Sequence, residues 1–489
     1  MFHWHRIRLR SGEESIILYA RESIRLQMKF KQPSLLLLCL LCTGCGSMLK
    51  TEYHAPEIKF PTSEKSDKTG YKNAITNEAW WSVFNDPLLS SIINDTLKNN
   101  NDLHAAALNV LKSKLDSGEI NTNLFPDFNL SWSASNNRTI SQAAPSTESY
   151  SSSLSMSYEL DLWGKLARTR EQGKWNVEAS EQDLQNTMLV IVDSIAKSYW
   201  NIAKFNEQIE CYKQRLEIAR STYLLVNAKY ESGAGTRSDV LLAKQAIYSS
   251  ELQLRNVISQ RENERNAMAI VYNKDSIDHP REKKGLGEYQ DIKLPLFKPV
   301  EIISLRPDIR AAESRIKIAI TGYDLAKINF FPSISLGATI GAGSTIFTQW
   351  FSEQTLLQSI STTFPPLQWR KLNFELQKEK IAVALSVNNF RKVVLNALSE
   401  VDNALDARNK AEYDLEMQKK TLSISQDLMR INTVKYRSGY ISFQTLLDSQ
   451  DNVLNQKISY ADCQYDYLTS TMKFLLSIGG GESNSKVKS

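Results

Sequence analysis

"KYESGAGTRSDVLLAKQ" (Lys229–Gln245) and "KYRSGYISFQTLLDSQD" (Lys435–Asp451) decide the fold of this 489-residue chain. Each reads as a helix end, a Tyr-x-x-Gly turn and a fresh helix start. Tyr230 recurs as Tyr436, Gly233 as Gly439 and Leu241 as Leu447, always 206 residues later. The same offset joins Phe125-Pro126 to Phe331-Pro332 and Trp163-x-Lys165-Leu166 to Trp369-x-Lys371-Leu372. It also joins Asp102-Leu103-x-Ala105-Ala106 to Asp308-Ile309-x-Ala311-Ala312. A constant offset over many anchors is a duplication, and a period this long means two large copies of one unit, not a solenoid.

Around the turns the chain reads as long helix. Neither Gly nor Pro occurs in the 59 residues Lys174–Ser232 or in the 72 residues Leu367–Ser438. Sixty helical residues span roughly 90 Å. Apolar positions recur at helical spacing, as in Met188, Ile191, Ile195 and Tyr199. Helices this long without caps suggest coiled coils or a helical barrel. Shorter helices are expected over Leu88–Asp116 and Pro307–Ile328. Gly233 and Gly439 suit the C′ position, where positive φ is cheap only for glycine. Thr236, Ser238 and Ser442 can cap the helices that follow.

Between the helices the period falls from 3.6 to 2. In "DFNLSWSASNN" Phe128, Leu130, Trp132 and Ala134 alternate with Asn129, Ser131, Ser133 and Ser135. In "SSLSMSYELDLW" Leu154, Met156, Tyr158, Leu160 and Leu162 alternate with serines, Glu159 and Asp161. Strands are expected at about 126–136 and 152–163, joined by a Ser/Thr-rich loop, and in the second copy at about 332–343 and 354–365. The last of these alternates less cleanly. A soluble antiparallel sheet with one face on a core fits this pattern. So does a membrane barrel with apolar residues outward and polar residues inward, which the inward serines and the Glu159/Asp161 pair favour. An open four-strand sheet cannot sit in lipid, and about eight strands enclose only a filled interior. Three protomers would supply twelve, enough for a passage.

Export is written at the start. "MKFKQPSLLLLCLLCTGCGS" from Met28 has two lysines, a short apolar core and small residues before Cys45. It looks like a bacterial lipoprotein signal, with Cys45 as the lipid attachment site and residues 1–27 upstream of a good start. Removing residues 1–44, with seven Lys/Arg and three Glu, takes the net charge from +5 to +1. Nothing global then attracts nucleic acid. After the signal no stretch reaches the roughly 18 apolar residues of a membrane helix. Cys211 and Cys463 are not repeat equivalents and read as packed thiols. His54, His104 and His279 lack metal-ligand spacing, and "SGAGTRS" and "GGGES" lack the phosphate-loop pattern. No catalytic or metal site is expected. The division expected is 1–44 removed, 45–85 extended and lipidated, 86–273 first copy, 274–299 linker, 300–479 second copy and 480–489 a disordered tail.

Four segments carry a family resemblance over nearly all of residues 45–480. They are "WWSVFNDPLLSSIINDTLKNNNDLHAAALNVLKSK" (Trp80–Lys114), "YELDLWGKLARTR" (Tyr158–Arg170), "LRPDIRAAE" (Leu305–Glu313) and the paired Tyr-x-x-Gly turns. Together they resemble the outer-membrane efflux channels, or outer membrane factors, in their lipoprotein branch. The resemblance implies a mainly α protein with a β-barrel part: long helical hairpins forming a periplasmic tunnel and four transmembrane strands per protomer. It implies a homotrimer in outer-membrane lipid with a twelve-strand barrel. It also implies a periplasmic adaptor docking at the tips (Tyr230, Gly233, Tyr436, Gly439) and an inner-membrane transporter that supplies the energy. The channel is then a passive exit duct for drugs or small solutes, not an enzyme, with covalent lipid on Cys45 as its only attached group. Gate positions by the same resemblance are Asp239, Tyr436 and Asp448. An Asp239–Tyr436 contact would hold neighbouring helices closed, and Asp448 would contribute to a threefold acidic ring. Thr445 stands where some members carry a second acid. The second corner, "PPLQWRKL" (Pro365–Leu372), departs from the family pattern. A type I protein-secretion channel and a structural envelope lipoprotein are the competing readings.

Overall fold

A computed structural model of the chain describes residues 49–56, 80–138, 146–274, 281–287, 292, 306–365 and 368–480. The signal, Cys45, most of the 45–85 segment, part of the linker and residues 481–489 lie outside the described residues. The element order is α1 (Pro87–Asn99), α2 (Asn101–Asn121), β1 (Asp127–Asn137), β2 (Thr147–Leu160), α3 (Lys165–Glu231) and α4 (Arg237–Tyr272). It continues with α5 (Pro307–Ile328), β3 (Ser333–Ser344), β4 (Gln354–Thr363), α6 (Trp369–Arg437) and α7 (Phe443–Ser477). No helix among the described residues is long and apolar enough to cross a membrane. The chain divides into two compact units that cut across the sequence repeat. One contains Asn123–Thr169 and Asp324–Glu375, and the other Arg170–Tyr323 with the remaining helical segments.

The first unit is a four-stranded antiparallel sheet in the order β1-β2-β3-β4. β2 begins at Thr147, earlier than its apolar alternation suggests, because Asn137 and Trp132 pair with Thr147 and Ser152. Backbone pairing needs no apolar side chain, so the serine-rich segment is strand. The unit also fixes the N-terminal segment. The buried Asp324 carboxylate accepts hydrogen bonds from Thr51 N (3.0 Å), Thr51 Oγ1 (2.6 Å) and Lys327 Nζ (2.7 Å).

The second unit is built on long helices, α3 of 67 residues and α6 of 69. The expected helix over Leu88–Asp116 is two helices. Asn100 ends α1 by donating its N–H to Thr96 O (2.8 Å) and starts α2 by accepting from Leu103 N (2.9 Å). Its Nδ2 donates to Val271 O (2.7 Å), which fixes the break against α4. The main core gathers Trp80, Trp81, Leu89, Ile93, Val192, Ile195, Tyr199, Tyr467, Met472 and Leu475. A smaller cluster holds Ile309, Ile316, Phe390 and Val394. Asp86 caps α1 by accepting from Leu88 N and Leu89 N, and also accepts from Tyr199 Oη (3.1 Å) and Lys283 Nζ (2.6 Å). Burial, with Asp86 alongside, pushes the Tyr199 hydroxyl pKa well up. Cys211 and Cys463 are free thiols.

The described part of the linker, 281–287 and Ile292, is stapled to helices from both copies. Glu282 accepts from Arg265 Nε and Nη2 (both 2.6 Å) and from Asn206 Nδ2 (3.2 Å). Leu286 N donates to Glu207, Gln464 Nε2 donates to Gly287 O, and Ile292 N donates to Tyr467 Oη. Burial alone would raise the Glu282 pKa, but the Arg265 and Asn206 hydrogen bonds outweigh it and hold the carboxyl below its usual range. An unfolded glutamate titrates near pH 4.3. The stabilisation is therefore complete above about that pH and is lost as pH falls through the lower folded value. Amide protection over 281–287, measured relative to the intrinsic exchange rate at each pH, is expected to fall below about pH 4. Glu282→Gln should already weaken the staple by on the order of 2 kcal/mol at neutral pH and abolish the acid response. Protection factors that stay constant through this pH range in the parent chain would contradict this.

Candidate functional site: a two-faced sheet and two helix tips

The strand register sorts the sheet into two unlike faces. One face carries the rows Phe128–Met156–Ala338–Gln358, Leu130–Leu154–Ile340–Leu356 and Tyr158–Leu336–Ile360. The other carries Ser131–Ser153–Gly341–Thr355, Asn129–Ser155–Thr339–Leu357 and Ser133–Ser151–Gly343. Across the serine face Ser131 and Ser153 share a 2.8 Å hydrogen bond, as do Ser133 and Ser151. The apolar face is not covered: Leu130 is 78% exposed, Ile360 75% and Phe128 68%. Among the described residues no strand lies beside the outer edges of β1 and β4. This is not a sheet packed on its own core.

The irregular alternation of β4 has a concrete form. Leu357 is the one large apolar side chain on the serine face, while Gln354 and Gln358 lie on the apolar one. Aromatic rings gather at both ends of the sheet. At one end Tyr150 meets Phe347 edge-on at 5.3 Å, with Trp350 and Phe351 in the same loop. At the other Trp163 stacks on Phe331 at 4.8 Å, and Phe330 lies 5.9 Å from Trp369. The first group was missed in the sequence, although "FTQWF" (Phe347–Phe351) between two strands was the available signal.

The first corner shows what its motif does. Asp161 does not join Glu159 on the wet face. Its carboxylate accepts from Leu166 N (2.8 Å) and Ala167 N (2.7 Å), capping α3. Those donors are otherwise unsatisfied at a helix start, and the negative charge suits the helix dipole. Gly164 sits at φ 76°, and Trp163 Nε1 donates to Pro332 O (2.7 Å). Glu159 pairs with Lys165 at 3.1 Å. The second corner has neither the aspartate nor the glycine. There Lys371 N and Leu372 N turn to Gln368 O instead (2.9 and 3.3 Å).

The two tips share a backbone and differ in caps. Gly233 and Gly439 lie at φ 76° and 77°, where a side chain would strain the turn. Ala234 N reaches back to Lys229 O (2.8 Å), and Tyr440 N to Lys435 O (2.9 Å). Thr236, not Ser238, caps α4 in a capping box with Asp239, whose Oδ2 accepts from Thr236 N (3.2 Å) and Oγ1 (2.7 Å). Ser442 caps α7 by accepting from Thr445 N (3.1 Å). Within one chain the three gate candidates stay apart. Asp239 is occupied by its own cap, the Tyr436 ring leans on Phe443 at 5.3 Å, and Asp448 accepts from Gln444 Nε2 (2.8 Å). Tyr230 is 43% exposed, and Tyr440, at the second tip, is 83% exposed.

Comparison with known proteins identifies the family. The model described as "Outer membrane efflux protein" matches residues 92–272 and again 299–480. Among similar proteins is the antibiotic efflux pump outer membrane protein ArpC of Pseudomonas putida, 29% identical over 92% of this chain and 95% of its own length. Another is the probable outer membrane lipoprotein SilC of Salmonella typhimurium, 27% identical over 90% of this chain and 96% of its own. Of solved structures, the Campylobacter jejuni CmeC outer membrane channel superposes with a TM-score of 0.78 at 23% identity, covering 90% of this chain and 96% of that one. The open Neisseria gonorrhoeae MtrE outer membrane channel gives 0.73 at 24% identity, covering 87% and 98%. With both copies of the repeat matched over most of the sequence, the chain belongs to the outer membrane efflux protein family.

Proposed function

We propose that this chain is the outer-membrane exit duct of a tripartite efflux pump, passing drugs or other small solutes delivered by an inner-membrane transporter. The observation that carries this is the sheet, with two unlike exposed faces and two open edges. An apolar face with aromatics at both ends suits lipid. Open edges do not, since each unsatisfied backbone group costs several kcal/mol there. About ten residues of strand rise roughly 33 Å, which a tilt of about 40° reduces to the roughly 25 Å of an apolar barrel band. Two copies would enclose only a filled eight-strand interior, whereas three leave a lumen lined by the serine face.

The helices support a homotrimer. Phe374, Ile381, Leu385 and Leu395 on α6, and Leu241, Tyr248 and Leu252 on α4, recur at spacings of four, seven and ten, all on one heptad-type stripe of each helix. All are more than half exposed in the single chain. Such stripes are coiled-coil seams awaiting partners. The tips offer six turns per trimer to a periplasmic adaptor. Energy comes from the transporter, and the duct itself is passive. Electron microscopy of the detergent-extracted protein is expected to show elongated, hollow, threefold particles. Compact or rod-like particles without a lumen would sink this reading. Deleting the gene is expected to cause antibiotic hypersensitivity. Loss of one secreted protein instead would reassign the duct to type I secretion.

Two finer assignments rest on the resemblance. Asp448 forms a threefold acidic ring at the gate, and an Asp239–Tyr436 contact holds neighbouring helices closed. Both Thr236 bonds fall on Asp239 Oδ2, so that contact would place the Tyr436 hydroxyl on Oδ1. Asp448→Ala is expected to reduce cation preference in planar-bilayer recordings, and unchanged selectivity would remove Asp448 from the gate.

Cys45 carries the covalent lipid. Thr51, six residues on in sequence, is held by Asp324. Labelling with palmitate should be lost in Cys45→Ser; persistent label would place the modification elsewhere.

A further inference from the structure

One cavity in the helical unit belongs neither to the sheet nor to the tips. It has a volume of about 140 Å³. Its apolar wall is made by Phe84, Trp200, Leu286, Leu415 and Leu468. Phe84 and Trp200 stand 4.8 Å apart and present ring surface. Asp86 and Lys283 also line the cavity and are joined at 2.6 Å, so they present no net charge. The Lys283 side chain keeps 41% of its exposure and marks the open side.

Gln464 also lines this space and is 4% exposed. Its Nε2 is spent on Gly287 O (3.0 Å), while its Oε1 has no hydrogen-bond partner among the described residues. A buried acceptor left unmade is costly, and a native structure keeps few of them. The size is close to that of an apolar cavity of roughly 150 Å³ that takes up benzene. An occupant that met these walls would be one ring in size and largely apolar. It would be uncharged, because burying a net charge beside a neutralised pair has no compensation. It would carry one O–H or N–H for Gln464 Oε1.

We propose that this cavity is a binding site for a small neutral aromatic molecule bearing a single hydrogen-bond donor, of the phenol class, with Gln464 as the polar anchor. The occupant contacts Trp200 and Ala203 from the first copy, Leu415, Gln464 and Tyr467 from the second, and the linker at Leu286 and Ile292. Binding therefore ties the two copies to the linker between them. The site stands on the helical unit alone, and its failure would leave the channel reading untouched.

Crystals of the full-length protein soaked with 4-bromophenol provide the test. An anomalous bromine peak is expected inside the cavity, with the hydroxyl in hydrogen-bond reach of Gln464 Oε1, and excess phenol should erase it. Bromobenzene is expected to bind about tenfold more weakly, the effect of one hydrogen bond to a buried acceptor. Gln464→Leu should remove that preference, and Ala203→Leu, which narrows the cavity, should abolish the peak for both compounds. No bromine in the cavity of the parent protein, or equal occupancy by bromobenzene, would overturn the proposal, whether or not either variant folds.

Discussion

The constraint on which the rest depends is the hydrogen-bonding demand of strand edges. Four antiparallel strands satisfy three interfaces and leave the outer sides of β1 and β4 open. In water such edges can be solvated; in lipid they cannot. A sheet with an uncovered apolar face and open edges is stable only as part of something larger. Symmetric closure with further copies gives every edge a partner and both faces a suitable medium. The serine face then needs no core to pack on, because its hydroxyls bond to one another and to water.

The helices obey the same logic with a different force. Packing within the chain is concentrated around Trp80, Trp81, α1, the middle of α3 and α6 and the C-terminal end of α7, where Leu89, Ile93 and Leu475 are almost wholly buried. Elsewhere long stretches of α4 and α6 keep large apolar side chains exposed. Helices of this length hold together mostly through tertiary contact rather than intrinsic propensity. The buried region near Asp86 is therefore a pivot. One carboxylate caps α1, meets α3 through Tyr199 and holds the linker through Lys283.

Much of this was legible in the sequence, because the duplication places every large element twice. The tips, the long helices and the two-faced strands follow from Gly233 and Gly439, from runs free of breakers, and from alternating serines. What escaped was tertiary. Asn100 breaks a helix because Val271 O, far away in sequence, accepts from its side chain. Asp161 reads as a wet-face acid by parity, yet the helix that starts four residues on takes it as a cap. β2 begins in serines because pairing with β1 sets its length. Of the gate candidates, the tip backbones agree with expectation, whereas Asp239 is taken by a capping box that "TRSD" already spelled out.

The serine face is also electrically quiet. Its acids, Asp127 and Glu159, sit at one end of the strands, and Glu159 is paired with Lys165. From Asn129 to Ser135 and from Ser149 to Ser157, and across the facing positions of β3 and β4, the wall carries hydroxyls, amides, bare backbone and a single leucine. Neutral dipoles without net charge set up no long-range field to steer ions. With this face as the lining of the proposed duct, a solute meets no fixed charge along this stretch, and sorting by charge falls to other parts of the path.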